Sequence, residues 1–191
     1  MPRRGLLFAG MAAFAVFAII VVVLVIRTTP RLQTGTRAAA APSPTAPAPP
    51  GRKIKARLFY VSESGTKLTG IERDVAFAEN AAEQAREIVA AQVGPVAEPL
   101  VSAVPAGTTL RALFLTDSGQ AFVDLSRDVV SQHPGGTVNE LLTVYTIVNA
   151  VTANLPAITS VQVLVDGKEV DTLVGHVDLR RPLAKNLALV Q

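Results

Sequence analysis

The alternation of apolar and polar positions divides the chain into three unlike parts. Residues 5–26, GLLFAGMAAFAVFAIIVVVLVI, are 22 consecutive positions without a charge. A helix of that length, rising about 1.5 Å per residue, spans roughly 33 Å and can cross a hydrocarbon layer of about 30 Å. The pattern predicts a transmembrane signal anchor over residues 1–27. Residues 28–53 show no period and hold six of the thirteen prolines among Ala, Ser and Thr, which predicts an extended linker. From Ile54 onward, short apolar runs alternate with turn-forming residues, which predicts one folded domain over residues 54–191.

Within that domain, IKARLFYV (54–61) and TKLTGIERDV (66–75) read as two strands around a Ser-Glu-Ser-Gly turn. A helix is expected from Asn80, with Glu83 completing a capping box. Ala81, Ala85, Ile88, Val89 and Val93 form its apolar face, and Gly94-Pro95 stops it. TTLRALFLTDSGQAFVDLS (108–126) reads as a hairpin about Asp117-Ser118-Gly119. A second helix is expected from Thr137, with Glu140 as capping-box partner, Val138, Leu141, Leu142, Tyr145, Val148, Thr152 and Leu155 as the buried stripe, and Pro156 as the stop. Residues 157–179 read as strand, Asp166-Gly167 turn, strand. The order β, β, α, β, β, α, β, β predicts an α+β fold: one mostly antiparallel sheet with two main helices on one face.

Composition sharpens location and excludes some chemistry. The sequence has no cysteine, which removes disulfides, thiolate metal sites, a Cys nucleophile and a lipid-modified cysteine. Residues 1–53 carry seven Arg or Lys and no acid, whereas the rest carries eleven basic and fifteen acidic side chains. The basic charge is therefore juxtamembrane and the domain mildly acidic, which argues against nucleic-acid binding and places anionic headgroups within reach of the linker. A cleaved secretory signal fits less well than an anchor, because its apolar region usually runs about 7 to 15 residues. Arginines flank the span on both sides, so charge alone does not orient it. The short N-terminal tail and the envelope-like domain that follows predict that the domain lies outside the cytoplasm, in the periplasm or at the cell surface.

The segments VGPVAEPLVSAVPAGTTLRALFL, GQAFVDLS, HPGGTVNELLTVYTIVNAVTANLP and VQVLVDGKEVDTLVGHVDLRRPL together resemble the GerMN domain family of sporulation and spore germination, over about residues 56–183. The resemblance implies an extracytoplasmic, membrane-attached module without established enzymatic activity. It also implies a fold similar to the ring-building motifs of secretion systems. The chain has one such domain where well-known spore members have two, and a membrane span where they have a lipidated cysteine.

Candidate chemistry is sparse. His133-Pro134-Gly135-Gly136-Thr137 precedes a helix, where exposed N–H groups favour an anion, but no P-loop Lys-Ser/Thr follows and the Thr137–Glu140 capping box is expected to occupy those donors. The echo of FVDLS and HVDLR suggests a cluster of His133, His176, Asp124 and Asp178, with Ser126 nearby, that would bind a metal or activate the serine. No HExxH or GxSxG pattern accompanies it. The competing reading gives each residue a local role: His133 in a Pro-Gly turn, His176 in the strand after the hairpin, and the aspartates ending strands or capping turns. The six aromatics of residues 54–191, none of them tryptophan, offer little stacking surface for sugars. Gly5, Ala9 and Ala13 are spaced to let membrane helices approach. The expectation is an anchored, non-enzymatic scaffold without cofactor or metal. Its partners would be the membrane and envelope proteins or further copies of itself. Peptidoglycan binding is the alternative, and a small hydrolase the third reading.

Overall fold

The computed structural model describes residues 51–191; the expected transmembrane segment, residues 1–27, its small-residue spacing, and the expected linker up to residue 50 lie outside the described residues. Strands β1 (Lys53–Val61) and β2 (Leu68–Ala76) pair antiparallel over nine residues with no shift of register. Helix α1 (Ala81–Val93) starts at the predicted cap, with the Asn80 side chain accepting the Glu83 N–H at 2.8 Å, but the Glu83 carboxylate lies toward Arg86 Nε, at 3.5 Å, and does not complete the capping box. Its stop differs in detail: Gly94 sits at φ −66°, ordinary extended backbone, so Pro95 ends the helix without a left-handed glycine.

Strands β3 (Leu110–Leu115) and β4 (Gln120–Leu125) form the expected hairpin. Gly119 is required in its turn, since φ is +79° and a Cβ there would lie 2.6 Å from the Ala157 carbonyl oxygen. After a short helix α2 (Asp128–Ser131) comes the long helix α3 (Thr137–Asn154), then β5 (Ser160–Val165). Two-residue strands β6 (Lys168–Glu169) and β7 (Leu183–Ala184) both pair with β5, and a 3-10 turn (Leu187–Leu189) precedes the C-terminus.

The fold is α+β, but the single sheet of the sequence reading divides in two: the β1–β2 ribbon, and a five-stranded sheet ordered β3-β4-β5-β6 with β7 also on β5. Within the second sheet β4 and β5 run parallel, from Gln120↔Ser160 to Leu125↔Val165. An 18-residue helix between consecutive strands of one sheet forces this, because the crossover returns the chain to the end it started from. The Asp166-Gly167 turn forms, with φ of +50° and +76°, yet the strand after it lasts two residues before the chain leaves the sheet.

Helices α1 and α3 form the middle of three layers, not an outer face. Toward the five-stranded sheet, Ala85 and Val89 of α1 and Val144, Ile147, Val148 and Val151 of α3 meet Leu113, Val123, Val161 and Val163. Toward the ribbon, Ile88, Leu142 and Ala150 meet Ala56, Leu58, Tyr60 and Val75. Helix α3 is therefore buried around nearly its whole circumference from Leu142 to Thr152, as an almost uniformly uncharged helix must be. The predicted stripe captured Leu142, Val148 and Thr152 but included Val138, which is 44% exposed.

Candidate functional site

Most buried polar side chains on the two helices are committed to main chain; the Thr146 hydroxyl, fully buried on α3, has no partner among the described residues. The outer edge of β1 would otherwise present unpaired N–H and C=O groups. The Asn154 amide accepts the Arg57 N–H and donates to the Arg57 carbonyl, each at 2.8 Å. The Gln92 amide does the same at Phe59, again 2.8 Å each way. Val61 N–H then bonds to the Val101 carbonyl. Two side-chain amides and one loop residue thus stand in for a missing strand.

The start of α3 holds the histidines. Gly135 and Gly136, at φ +80° and +86°, turn the chain into the helix. The capping box does not form: Gly136 occupies the N-cap, no side chain caps it, and Thr137 is already helical. Glu140 turns inward instead and is 0% exposed. Its Oε1 accepts the N–H groups of Leu173 and Val174, and its Oε2 that of His176 at 2.8 Å. Three amides from a distant segment satisfy a carboxylate better than the single N–H a capping box offers, which explains why the local motif loses. Burial pushes the Glu140 carboxyl up, but the backbone donors of Val174, His176 and Leu173 outweigh it and hold it below the usual carboxylate range.

His133 is similarly engaged. Its Nδ1 accepts the Gly135 N–H at 2.9 Å, and its Nε2 lies 3.1 Å from Thr143 Oγ1, whose hydroxyl donates to the Ala103 carbonyl at 2.6 Å. Those donors assign the proton to Nε2. Burial, with a smaller contribution from His176 and against the attraction of Glu140, holds the imidazole below its ordinary range. His176 is exposed in an irregular segment, not in a strand as expected, and its Nδ1 lies 3.3 Å from Thr137 Oγ1.

The four candidate residues do not converge as one cluster. His133, His176 and Glu140 share the entrance of α3, whereas the aspartates have other partners. Asp124 Oδ1 accepts the Gly167 N–H at 2.7 Å, and Arg111 spans Asp124 at 3.7 Å and Asp166 at 3.0 Å, fixing the β5–β6 turn. Asp178 takes a forked pair of bonds from Arg180, at 2.9 and 2.8 Å, which holds its carboxyl far below the usual range. Ser126 donates to Asp128 and accepts the Thr109 N–H. Among the described residues, no group of three His, Asp or Glu is placed to hold a metal ion.

An uncharged concave surface lies elsewhere. A groove of about 940 Å³ runs between the end of α1 (Ala90, Val93), the 102–110 loop and Pro134, and none of its lining residues is charged. In the sequence this passage shows only the punctuation of Pro95, Pro99 and Pro105. Periodicity cannot show that a loop and a helix end leave a trough between them.

These features define a small α+β module of three layers, with an uncharged groove and a polar framework spent on its own main chain. The family model described as Germane, sporulation and spore germination, matches residues 57–171, and the chain belongs to that family, with a GerMN-type domain. In fold it is similar to the first GerMN domain of the sporulation protein GerM from Bacillus subtilis: 17% identity, 69% of this chain and 97% of that one covered, TM-score 0.54. The tandem GerMN domains of the same protein match at 16% identity and TM-score 0.54, covering 70% of this chain and 46% of that one, so this chain spans less than half of the tandem unit. A candidate lipoprotein from Clostridium perfringens matches at 21% identity and TM-score 0.50, covering 70% of this chain and 88% of that one. No curated protein matches the chain.

Proposed function

We propose that this protein is a membrane-anchored, non-enzymatic docking module of the bacterial cell envelope. Residues 5–26 serve as the anchor, residues 28–53 as the spacer, and the GerMN-type domain lies outside the cytoplasm as the part that meets a partner protein. The observation that carries this reading is the groove, which is lined by Ala, Val, Gly, Pro, Ser, Thr and Leu, without a titratable group. Such a surface suits burial of an apolar partner segment, and its lining has no base or acid to activate the hydroxyls of Ser102, Thr108 or Thr109. Names of the matched structures, a sporulation protein and a candidate lipoprotein, support an envelope setting.

Site-specific photo-crosslinking in the full-length, membrane-inserted chain tests the proposal. A photoreactive residue at Ala106 or Thr109, on the groove, is expected to capture a discrete envelope protein, and one at Asp117, on the exposed β3–β4 turn, is not. The adduct should survive combined His133→Ala and His176→Ala. No adduct at the groove, together with cosedimentation of the protein with purified cell wall, would replace this reading with the peptidoglycan one.

A further inference from the structure

We propose that His133 is a pH-sensitive latch beside the groove, holding two of its lining segments together at neutral pH and releasing them in mild acid. The ring sits at a junction of three segments. Through Nδ1 it pins its own loop at Gly135; through Nε2–H it reaches Thr143 on α3; through Thr143 it reaches Ala103 of the loop opposite. Pro134 and Ala103, the neighbours of these contacts, both line the groove.

Every proton in this relay has an assigned direction. Thr143 has one hydroxyl proton and gives it to Ala103, so it must accept from Nε2–H, and Nδ1 is left bare to accept from Gly135. A second proton on the ring has only Nδ1 to occupy. There it would face the Gly135 N–H at 2.9 Å, donor against donor. The loop must then swing away, and Gly135 and Gly136, already at positive φ, provide a backbone that can do so.

The surroundings do not offer the imidazolium a replacement partner. From α3, Glu140 attracts the charge, but its oxygens are already taken by Leu173, Val174 and His176. From the 170–177 segment, His176 opposes protonation. From α2, Asp128 is turned toward Ser126 and Gly107. The loop from Val101 to Thr108 has no titratable side chain. Burial keeps the ring neutral at physiological pH, so the latch is closed there and opens as acid overcomes that bias.

The biological use of the latch rests on reading the groove as a docking surface; the latch itself is tested without any partner. Amide hydrogen exchange of the full-length chain is compared at about pH 7 and about pH 5, after correction for intrinsic rates. Protection at 101–108 and 133–136 is expected to fall severalfold in acid, while β4 and β5 stay protected. His133→Asn, whose amide oxygen replaces Nδ1 toward Gly135 without titrating, should remove that pH response. Thr143→Val should expose 101–108 at both pH values while 133–136 stays pinned at neutral pH. An unchanged response in His133→Asn, no response in the unmodified chain, or a ring shown by nitrogen NMR to carry its neutral proton on Nδ1 would each overturn the latch and leave the crosslinking result untouched.

Discussion

Glu140 shows how one residue can be correctly noticed and wrongly assigned. Thr137-x-x-Glu140 is a capping-box pattern, and sequence alone gives no sign that three N–H groups some 33 to 36 positions away will compete for the carboxylate. Glu140→Gln keeps the shape but places an NH₂ against at least one of those donors. The expected cost is about 3 kcal/mol, read as a lower urea midpoint. The sign with pH follows from the direction of the shift. A carboxyl held below its unfolded value contributes its stability fully above the ordinary carboxylate range, near pH 4.3, and loses it as pH falls toward the lower folded value. His133 acts in the same direction at higher pH: the unfolded chain takes up a proton first, so stability falls as pH drops below about 6.5. Thermal midpoints of the unmodified protein should therefore decline in two steps on acidification. His133→Asn should lose the upper step and Glu140→Gln should reduce the lower, to which the lowered carboxyls of Asp178 and Asp74 also contribute.

At the scale of elements, what was legible followed local chemistry. The β3–β4 hairpin, the α1 cap at Asn80 and the Asp166-Gly167 turn each rest on residues within a few positions of one another, and each formed. What was hidden depended on partners far along the chain: the parallel register of β4 and β5, the separation into two sheets, and the sealing of β1. Gln92 and Asn154 lie outside the apolar stripes that predict the helices, yet Gln92 is fully buried and both complete the edge of a strand. By contrast, β2 has N–H groups at Gly70, Glu72 and Asp74 without a partner among the described residues, and Glu72, Arg73 and Asp74 place charges along that edge. The ribbon is thus closed on one side by pairing and guarded on the other by charge. Gln92→Leu keeps the volume and removes both bonds, leaving the buried Phe59 N–H and C=O unsatisfied at a cost of about 3 kcal/mol. Combined with Asn154→Ala, it should also expose a β1 edge able to pair between molecules. Sedimentation velocity should show association that grows with concentration in the double variant and not in Asn154→Ala alone.

Across the whole molecule, the layers are tied by a C-terminal strap that lies beyond the stretch matched by the family model. Leu183 and Ala184 pair with β5 of the large sheet. Asn186 then exchanges two bonds with Asn149 of α3, its N–H to Oδ1 at 2.9 Å and its carbonyl from Nδ2 at 3.0 Å. Val190 bridges to Leu68 of the ribbon, where the Gln191 N–H donates to the Leu68 carbonyl at 2.9 Å. In nine residues the chain touches all three layers in order. Asn149 is fully buried in the middle layer, so its amide depends on the strap for its hydrogen bonds. Ending the chain after Lys185 should therefore do more than remove a tail: it would strand the Asn149 amide and free the ribbon, costing about 2 to 4 kcal/mol. If the strap acts through that amide, Asn149→Leu should lower stability in the full chain but cost much less once the strap is gone, because its polar group is then already unpaired. A double-mutant cycle from urea denaturation measures this coupling, expected to be about 1 kcal/mol or more. Additive effects would mean that the strap holds the layers by its strand pairing alone.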